Sequence, residues 1–159
     1  MIVGAGNSGT EIAVDLVEGG AKRVQIAVRT PPIVLRRDVR GLPIQLLGIV
    51  FRRLPPGVLD PLFYLLERAT VPDLSSYCLP RPRAPFSQFR DTGTVPIFDI
   101  GFIDAVRHGL IEVVPGVTAL DRRKVVLADG SRVSPDAVVA ATGYHPRLEP
   151  LVGHLTAIG

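Results

Sequence analysis

The period of the hydrophobic positions changes several times along the chain, and each change marks an element. Met1-Ile2-Val3 is a short β-type run that meets Gly4-Ala5-Gly6-Asn7-Ser8-Gly9. Ile12, Ala13, Leu16 and Val17 then recur at helical spacing until Gly19-Gly20 stops them. Val24 to Val28 predicts a buried strand. Strand, glycine turn, helix and strand within about 28 residues make half of a doubly wound α/β sheet.

Residues 31–96 break the pattern. Eleven of the 15 prolines and nine arginines fall there, with no lysine. Two short helices are expected, around Pro43–Arg52 and Pro61–Arg68, followed by loop from Val71 to Pro96. So much proline argues against a core of its own, and the segment reads as a Pro/Arg-rich helical insertion, not a second domain. Periodicity then returns. Asp99 predicts an N-cap, with a helix to His108 and Gly109 as its C-cap. Ile111–Val114 predicts a strand. Val117–Leu120, Lys124–Ala128 and Ser131–Val133 predict a small antiparallel meander turning at Asp129-Gly130. Ala137–Ala141 has the apolar run of a buried parallel strand and ends at Thr142-Gly143-Tyr144. The expected fold class is α/β: a Rossmann-like NAD(P)-binding domain over residues 1–159, with a parallel sheet, the small antiparallel β-meander and the insertion.

Composition narrows the possible functions. At 159 residues the chain is close to one domain, and 47% hydrophobic with 21% charged residues is an ordinary globular balance. Eighteen basic against 15 acidic residues leave a net charge of only +3. The choice of cation is more telling, because 16 of the 18 are arginine, whose planar fork matches phosphate oxygens. Cys78, the one cysteine, excludes an intrachain disulfide framework, a redox cysteine pair and an all-thiolate zinc site. No apolar run reaches ~18 residues, and the first residues are no secretory signal, so a cytoplasmic protein without a transmembrane segment is expected. His108, His145 and His154 lack metal-ligand spacing, and the arginine-rich segment lacks a nucleic-acid-binding module. Its apolar run Leu46-Leu47-Gly48-Ile49-Val50-Phe51 suits a partner module, a lipid surface or a hydrophobic substrate.

Candidate chemistry concentrates at the strand ends. In Gly4-x-Gly6-x-x-Gly9 the first glycine permits the tight turn, the second lets a pyrophosphate approach the backbone, and the third lets helix and strand pack closely. The free N–H groups opening the helix then face the anion. Which dinucleotide binds is set after the second strand. NAD- and FAD-binding versions carry an acidic residue there for the ribose hydroxyls, whereas this chain offers Val28-Arg29-Thr30 and no carboxylate before Asp38. A guanidinium at that place favours a 2′-phosphate, hence NADPH over NADH and FAD.

Gly-Ala-Gly-Asn-Ser-Gly-Thr-Glu-Ile-Ala followed by Val-Arg-Thr-Pro-Pro resembles the NADPH-binding module of flavin-containing monooxygenases, particularly their YUCCA-like and bacterial relatives. The resemblance continues through Asp73-Leu74, Leu79-Pro80, Val95–Asp99, His108–Ile111, Val113–Gly116 and Asp136, and closes at Ala141-Thr142-Gly143-Tyr144. Cys78 departs from it, standing where relatives usually carry glycine before Leu-Pro, so the resemblance does not fix the local backbone conformation there.

The resemblance implies a flavoprotein in which NADPH reduces FAD and the reduced flavin activates oxygen. It places Gly4, Gly6, Asn7, Ser8 and Gly9 at the pyrophosphate and Arg29 with Thr30 at the 2′-phosphate. Thr142 and Gly143 would sit where the chain turns back toward the flavin. No residue stands out as catalytic acid, base or nucleophile. The family's FAD-binding fingerprint and its Phe-x-Gly-x-x-x-His sequence do not occur in the chain, so a separate or missing FAD-binding domain is expected, with this segment the middle of a larger enzyme. Two alternatives stand beside it: a non-catalytic remnant or NAD(P)-binding interaction module, and a pyridine-nucleotide disulfide reductase-type domain, for which Cys78 lacks a mate.

Overall fold

Four parallel strands form the central sheet of the computed structural model, which describes residues 1–36, 38–39, 42–43, 55–82, 84–85, 87–88 and 95–143. They are β1 (Ile2–Val3), β2 (Val24–Val28), β7 (Ile111–Pro115) and β11 (Val139–Ala140), in the spatial order β11-β1-β2-β7. Helix α1 (Asn7–Glu18) joins β1 to β2. The chain leaves β1 toward β2 on one side and returns beside it as β11 on the other, so the strand order reverses at β1. Such a switch point opens a crevice at the carboxyl ends of the strands. The fold is Rossmann-like α/β.

Alternation along the strands sorts side chains into two layers. Ile2, Val24, Ile26 and Ile111 face α1 and the short helix α3 (Phe102–Arg107), packing on Ala13, Val14, Phe102, Ile103 and Val106. Ala27 and Val114 face the other way. There the antiparallel meander of β8 (Val117–Asp121), β9 (Lys124–Leu127) and β10 (Arg132–Val133) covers them with Val125 and Leu127. Gly130, at φ +82°, forms the expected turn between β9 and β10, where Asp129 accepts from the Ser131 N–H and hydroxyl. α1 stops at Gly19-Gly20 as expected, whereas α3 ends one residue early, at Arg107 with His108 as its C-cap and Gly109 just beyond. The N–H groups of Ala21 and Leu110 reach back to the carbonyls of Leu16 and Ala105 across left-handed Gly20 and Gly109.

Some expectations need correction. Asp99 caps α3 from a distance: it is the last residue of β6 (Ile97–Asp99), and its carboxylate accepts from the N–H groups of Gly101 and Ile103. Gly101, left-handed at φ +115°, holds the N-cap position itself. β11 is parallel as expected but forms an edge of the sheet, so Val138 is 43% exposed and Ala140 lies open.

Segment 31–96 is less loop-like than its prolines suggest. β3 (Val34–Arg36) pairs in parallel with β6, and β4 (Asp38–Val39) pairs antiparallel with β5 (Leu42–Pro43). The helix expected around Pro43–Arg52 lies outside the described residues beyond Pro43, which is in β5. The helix expected at Pro61–Arg68 is α2 (Pro56–Thr70), which starts a turn and a half earlier because Pro56 suits the first helical position. The segment also has a small apolar cluster, in which Ile33 and Leu35 meet Phe63, Leu66 and Phe98, while Val34 points into the main core. Cys78 is left-handed at φ +61° after a 3-10 turn at Ser75–Tyr77, the conformation that favours glycine. Among the described residues, no helix is long and apolar enough to cross a membrane.

Glu67 of α2 is 2% exposed and accepts a hydrogen bond from the Val34 backbone, with its Oε2 unpartnered. Burial pushes its carboxyl up to about 7, against the smaller opposing pull of Arg81. Between pH 4.5 and 7 the folded chain therefore holds a proton that the unfolded chain has released, and this contribution to stability is lost as pH rises. Glu67→Gln keeps an acceptor for Val34 and cannot ionise. It is expected to match the parent in urea unfolding at pH 4 and to exceed it by about 1–3 kcal/mol at pH 8.

Candidate functional site

The turn after β1 is shaped by a contact that admits no side chain. Gly4 has φ +105°, and a Cβ there would lie 2.4 Å from the Ala141 carbonyl oxygen. A Cβ on Gly9 would lie 2.1 Å from the Gly4 carbonyl oxygen and 3.3 Å from the Ala141 methyl. Helix, turn and returning strand thus touch backbone to backbone. The Gly4 N–H donates to the Ala27 carbonyl at 3.0 Å, and the Ala141 N–H to the Val3 carbonyl at 2.8 Å. Gly6 differs from both: a Cβ there would meet nothing within 4 Å. No side chain caps α1, so its first N–H groups, which lack intrahelical acceptors, open into free space.

That space is a cavity of about 860 Å³, within the roughly 300–1,000 Å³ usual for small-molecule and cofactor sites. Its walls come from four places: Gly4, Ala5, Gly6, Asn7 and Ser8 after β1; Arg29, Thr30, Pro31 and Pro32 after β2; Gly116 and Val117 after β7; and Ala140 to Gly143 at β11. Gln88 reaches it from the proline-rich segment. Among the described residues, Arg29 is the one charged member of the lining, no carboxylate borders the cavity, and Arg29 forms no ion pair. The field inside therefore favours an anion from two directions, the helix end and the guanidinium.

Of the nine residues singled out in the sequence, Gly4, Gly6, Asn7, Ser8, Arg29, Thr30, Thr142 and Gly143 all line this one cavity. Gly9 does not; it is buried in the first turn of α1, against the Gly4 carbonyl. Asn7 faces the cavity with its backbone, yet its side chain turns away. The amide nitrogen donates to the Pro96 carbonyl and its oxygen accepts the Phe98 N–H, both at 3.1 Å. This tie holds β6 against the first turn of α1. Gly116 and Gln88 were not singled out. Gln88 carries no local signal, whereas Gly116 lies two residues past the predicted strand end at Val114, close to the place where ligand-facing residues gather. Among the described residues, no group of three or more His, Cys, Asp or Glu side chains is placed to hold a metal ion.

Relatives share this arrangement of sequence over most of the chain. A probable indole-3-pyruvate monooxygenase of Arabidopsis thaliana, YUCCA9, is 35% identical over 146 residues, covering 91% of this chain and 34% of the relative. YUCCA10 of the same plant is also 35% identical over 146 residues, covering 91% and 37%. Indole-3-pyruvate monooxygenase YUCCA1 of Oryza sativa subsp. japonica is 31% identical over 153 residues, covering 91% and 36%. The chain is a homologue of the YUCCA-type flavin monooxygenases. It spans about a third of the length of the curated YUCCA relatives it matches. No family model matches it.

The YUCCA-type resemblance and the cavity meet at the glycine turn, where two substitutions separate packing from ligand access. Gly9→Ala forces a methyl into the Gly4 carbonyl and is expected to lose about 3 kcal/mol in urea unfolding, the upper end of overpacking costs. Gly6→Ala meets open space at φ −85° and is expected to unfold within about 0.5 kcal/mol of the parent, like other unstrained surface changes. Equal losses would remove this division of roles.

Proposed function

We propose that the chain is the NADPH-binding portion of a flavin-dependent monooxygenase. The observation that carries the reading is a single cavity bounded on one side by the uncapped start of α1 and on the other by Arg29, with no acidic side chain among the described residues of its lining. The residues fit a 2′-phosphorylated dinucleotide. Gly6 leaves open the space a Cβ would fill, as close approach of a pyrophosphate requires. The backbone N–H groups of Asn7 and Ser8 point to the same anion, and Arg29 with Thr30 holds the 2′-phosphate through charge-assisted hydrogen bonds. Thr142 and Gly143 close the cavity on the β11 side.

NADPH bound there supplies the hydride that a flavin-dependent monooxygenase consumes. This chain's own residues bind and orient: the hydroxyls of Ser8, Thr30 and Thr142 are taken as hydrogen-bonding groups, and no catalytic acid or base is assigned among the described residues of the lining. A free adenosine ribose, as in FAD or NADH, would find a guanidinium where its hydroxyls need a carboxylate acceptor. FAD is accordingly assigned to residues outside this cavity. The relatives' printed activity toward indole-3-pyruvate supports monooxygenation as the whole enzyme's chemistry.

Titrating the chain with NADPH and NADH, by calorimetry or nicotinamide fluorescence, tests the reading. NADPH is expected to bind more tightly. Arg29→Ala is expected to weaken NADPH by about 1.5–3 kcal/mol, the range for losing hydrogen bonds to a charged partner, and to leave NADH unchanged. Equal affinity for both nucleotides in the parent chain would refute the role of Arg29.

A further inference from the structure

We infer that Gly116 is a positioning residue for nucleotide specificity: the missing side chain at 116 lets Arg29 occupy its place on the cavity wall. The inference rests on the reading of Arg29 as the partner of the 2′-phosphate. β2 and β7 pair in parallel with Ala27 opposite Val114 and Val28 opposite Pro115, so one step further Arg29 comes beside Gly116. Both residues lie just past the carboxyl ends of their strands, and both line the cavity.

The fit between them is close. A Cβ on Gly116 would lie 3.0 Å from the Arg29 Cα, 3.1 Å from its Cβ and 3.4 Å from its backbone nitrogen. These are backbone or backbone-proximal atoms, which cannot swing aside like the end of a long side chain. Gly116 is not among the left-handed glycines, so backbone conformation does not explain the residue. Space explains it.

Nor can Gly116 retreat. It is buried, and its carbonyl accepts the Ala128 N–H at 2.8 Å, which fastens it to the end of β9. Pro115 before it and Val117 after it belong to β7 and β8. Any side chain at 116 must therefore move Arg29. Bidentate hydrogen bonds to phosphate depend on the placement of the guanidinium plane, so a small displacement at its root reduces discrimination between nucleotides. Contacts with the pyrophosphate, made on the far side of the cavity by the α1 turn, stay as they are.

The test measures affinities of the full chain for NADPH and NADH in four forms: parent, Gly116→Ala, Arg29→Ala and the double variant. Gly116→Ala is expected to lower the NADPH-over-NADH preference about fivefold or more, through NADPH alone, as partial loss of charged hydrogen bonds requires. In the Arg29→Ala background the same substitution is expected to change that preference no further. An unchanged preference in Gly116→Ala, or an equal loss of both nucleotides, overturns the inference while leaving the role of Arg29 intact. An unchanged preference in Arg29→Ala overturns the underlying reading instead. Should Gly116→Ala not fold, hydrogen exchange on the parent decides. Adenosine 2′,5′-bisphosphate is expected to slow exchange of the Ala128 N–H, the donor to Gly116, more than adenosine 5′-monophosphate does; equal protection overturns the inference.

Discussion

Three backbone segments meet at Gly4, Gly9 and Ala141 with no room for a side chain between the first two, and the rest of the site follows from that contact. Because Gly9 lies against the Gly4 carbonyl, α1 must leave the turn at one angle and one depth. That depth lays Ala13 and Val14 on the sheet beside Ile2 and Ile26. The same contact fixes the return of the chain, since Ala141 donates to Val3 just where a Cβ on Gly4 would strike its carbonyl. The helix start and the end of β11 are thereby held at facing walls of one crevice. Neither wall depends on side-chain packing at the turn itself.

Motif residues close in sequence consequently do different physical work. Gly9 is a packing residue, Gly6 opens space, and Asn7 divides itself between backbone and side chain. Its amide gives one hydrogen bond to Pro96 and takes one from Phe98, satisfying two backbone groups of the strand that returns from the proline-rich segment. A hydrophobic residue at that place would leave those groups unpaired in a part-buried setting, at a cost of about 1–3 kcal/mol for each one fully buried. The tie makes the position of β6, and through Asp99 the start of α3, answer to the same turn that borders the cavity.

What the sequence makes legible is whatever is encoded locally. The β1–α1–β2 unit, the glycine stops of α1 and α3, and the Asp129-Gly130 hairpin all carry their signals within a few residues of where they act. β3 does not. Its partner β6 lies some 60 positions further on, its three residues are too few to show a period, and the surrounding prolines read as loop. Asp99 is chosen correctly as a cap but two residues out of register, because its carboxylate reaches past Ile100 and Gly101. At the cavity, Arg29 is readable because a strand end is a local event. Its neighbour across β2–β7 is not, since Gly116 meets Arg29 only through a register between strands 87 positions apart. At Cys78 the sequence shows only a departure from glycine, and the left-handed φ that explains a glycine there is read from the structure.

Proline density is a poor guide to whether segment 31–96 is independent of the sheet. Val34, Val71, Leu74 and Leu79 are each at most 5% exposed, and they belong to the same apolar cluster as Ile2, Ile26 and Phe102. Local opening of the segment would therefore expose side chains of the main core, and apolar burial gives about 25 cal/mol per Å² against it. Proline does not prevent this order: Pro56 stands in the first turn of α2, where no N–H is missed, and the helix continues through Pro61. Pro31 and Pro32 stand at the cavity rim between Arg29 and the strand β3, whose alternate side chains enter two different clusters. Two adjacent residues with φ fixed near −65° give that rim little freedom. The wall carrying the guanidinium is thus held by β2 on one side and by two apolar clusters on the other, and a wall so held can place a charge to the tolerance that phosphate recognition demands.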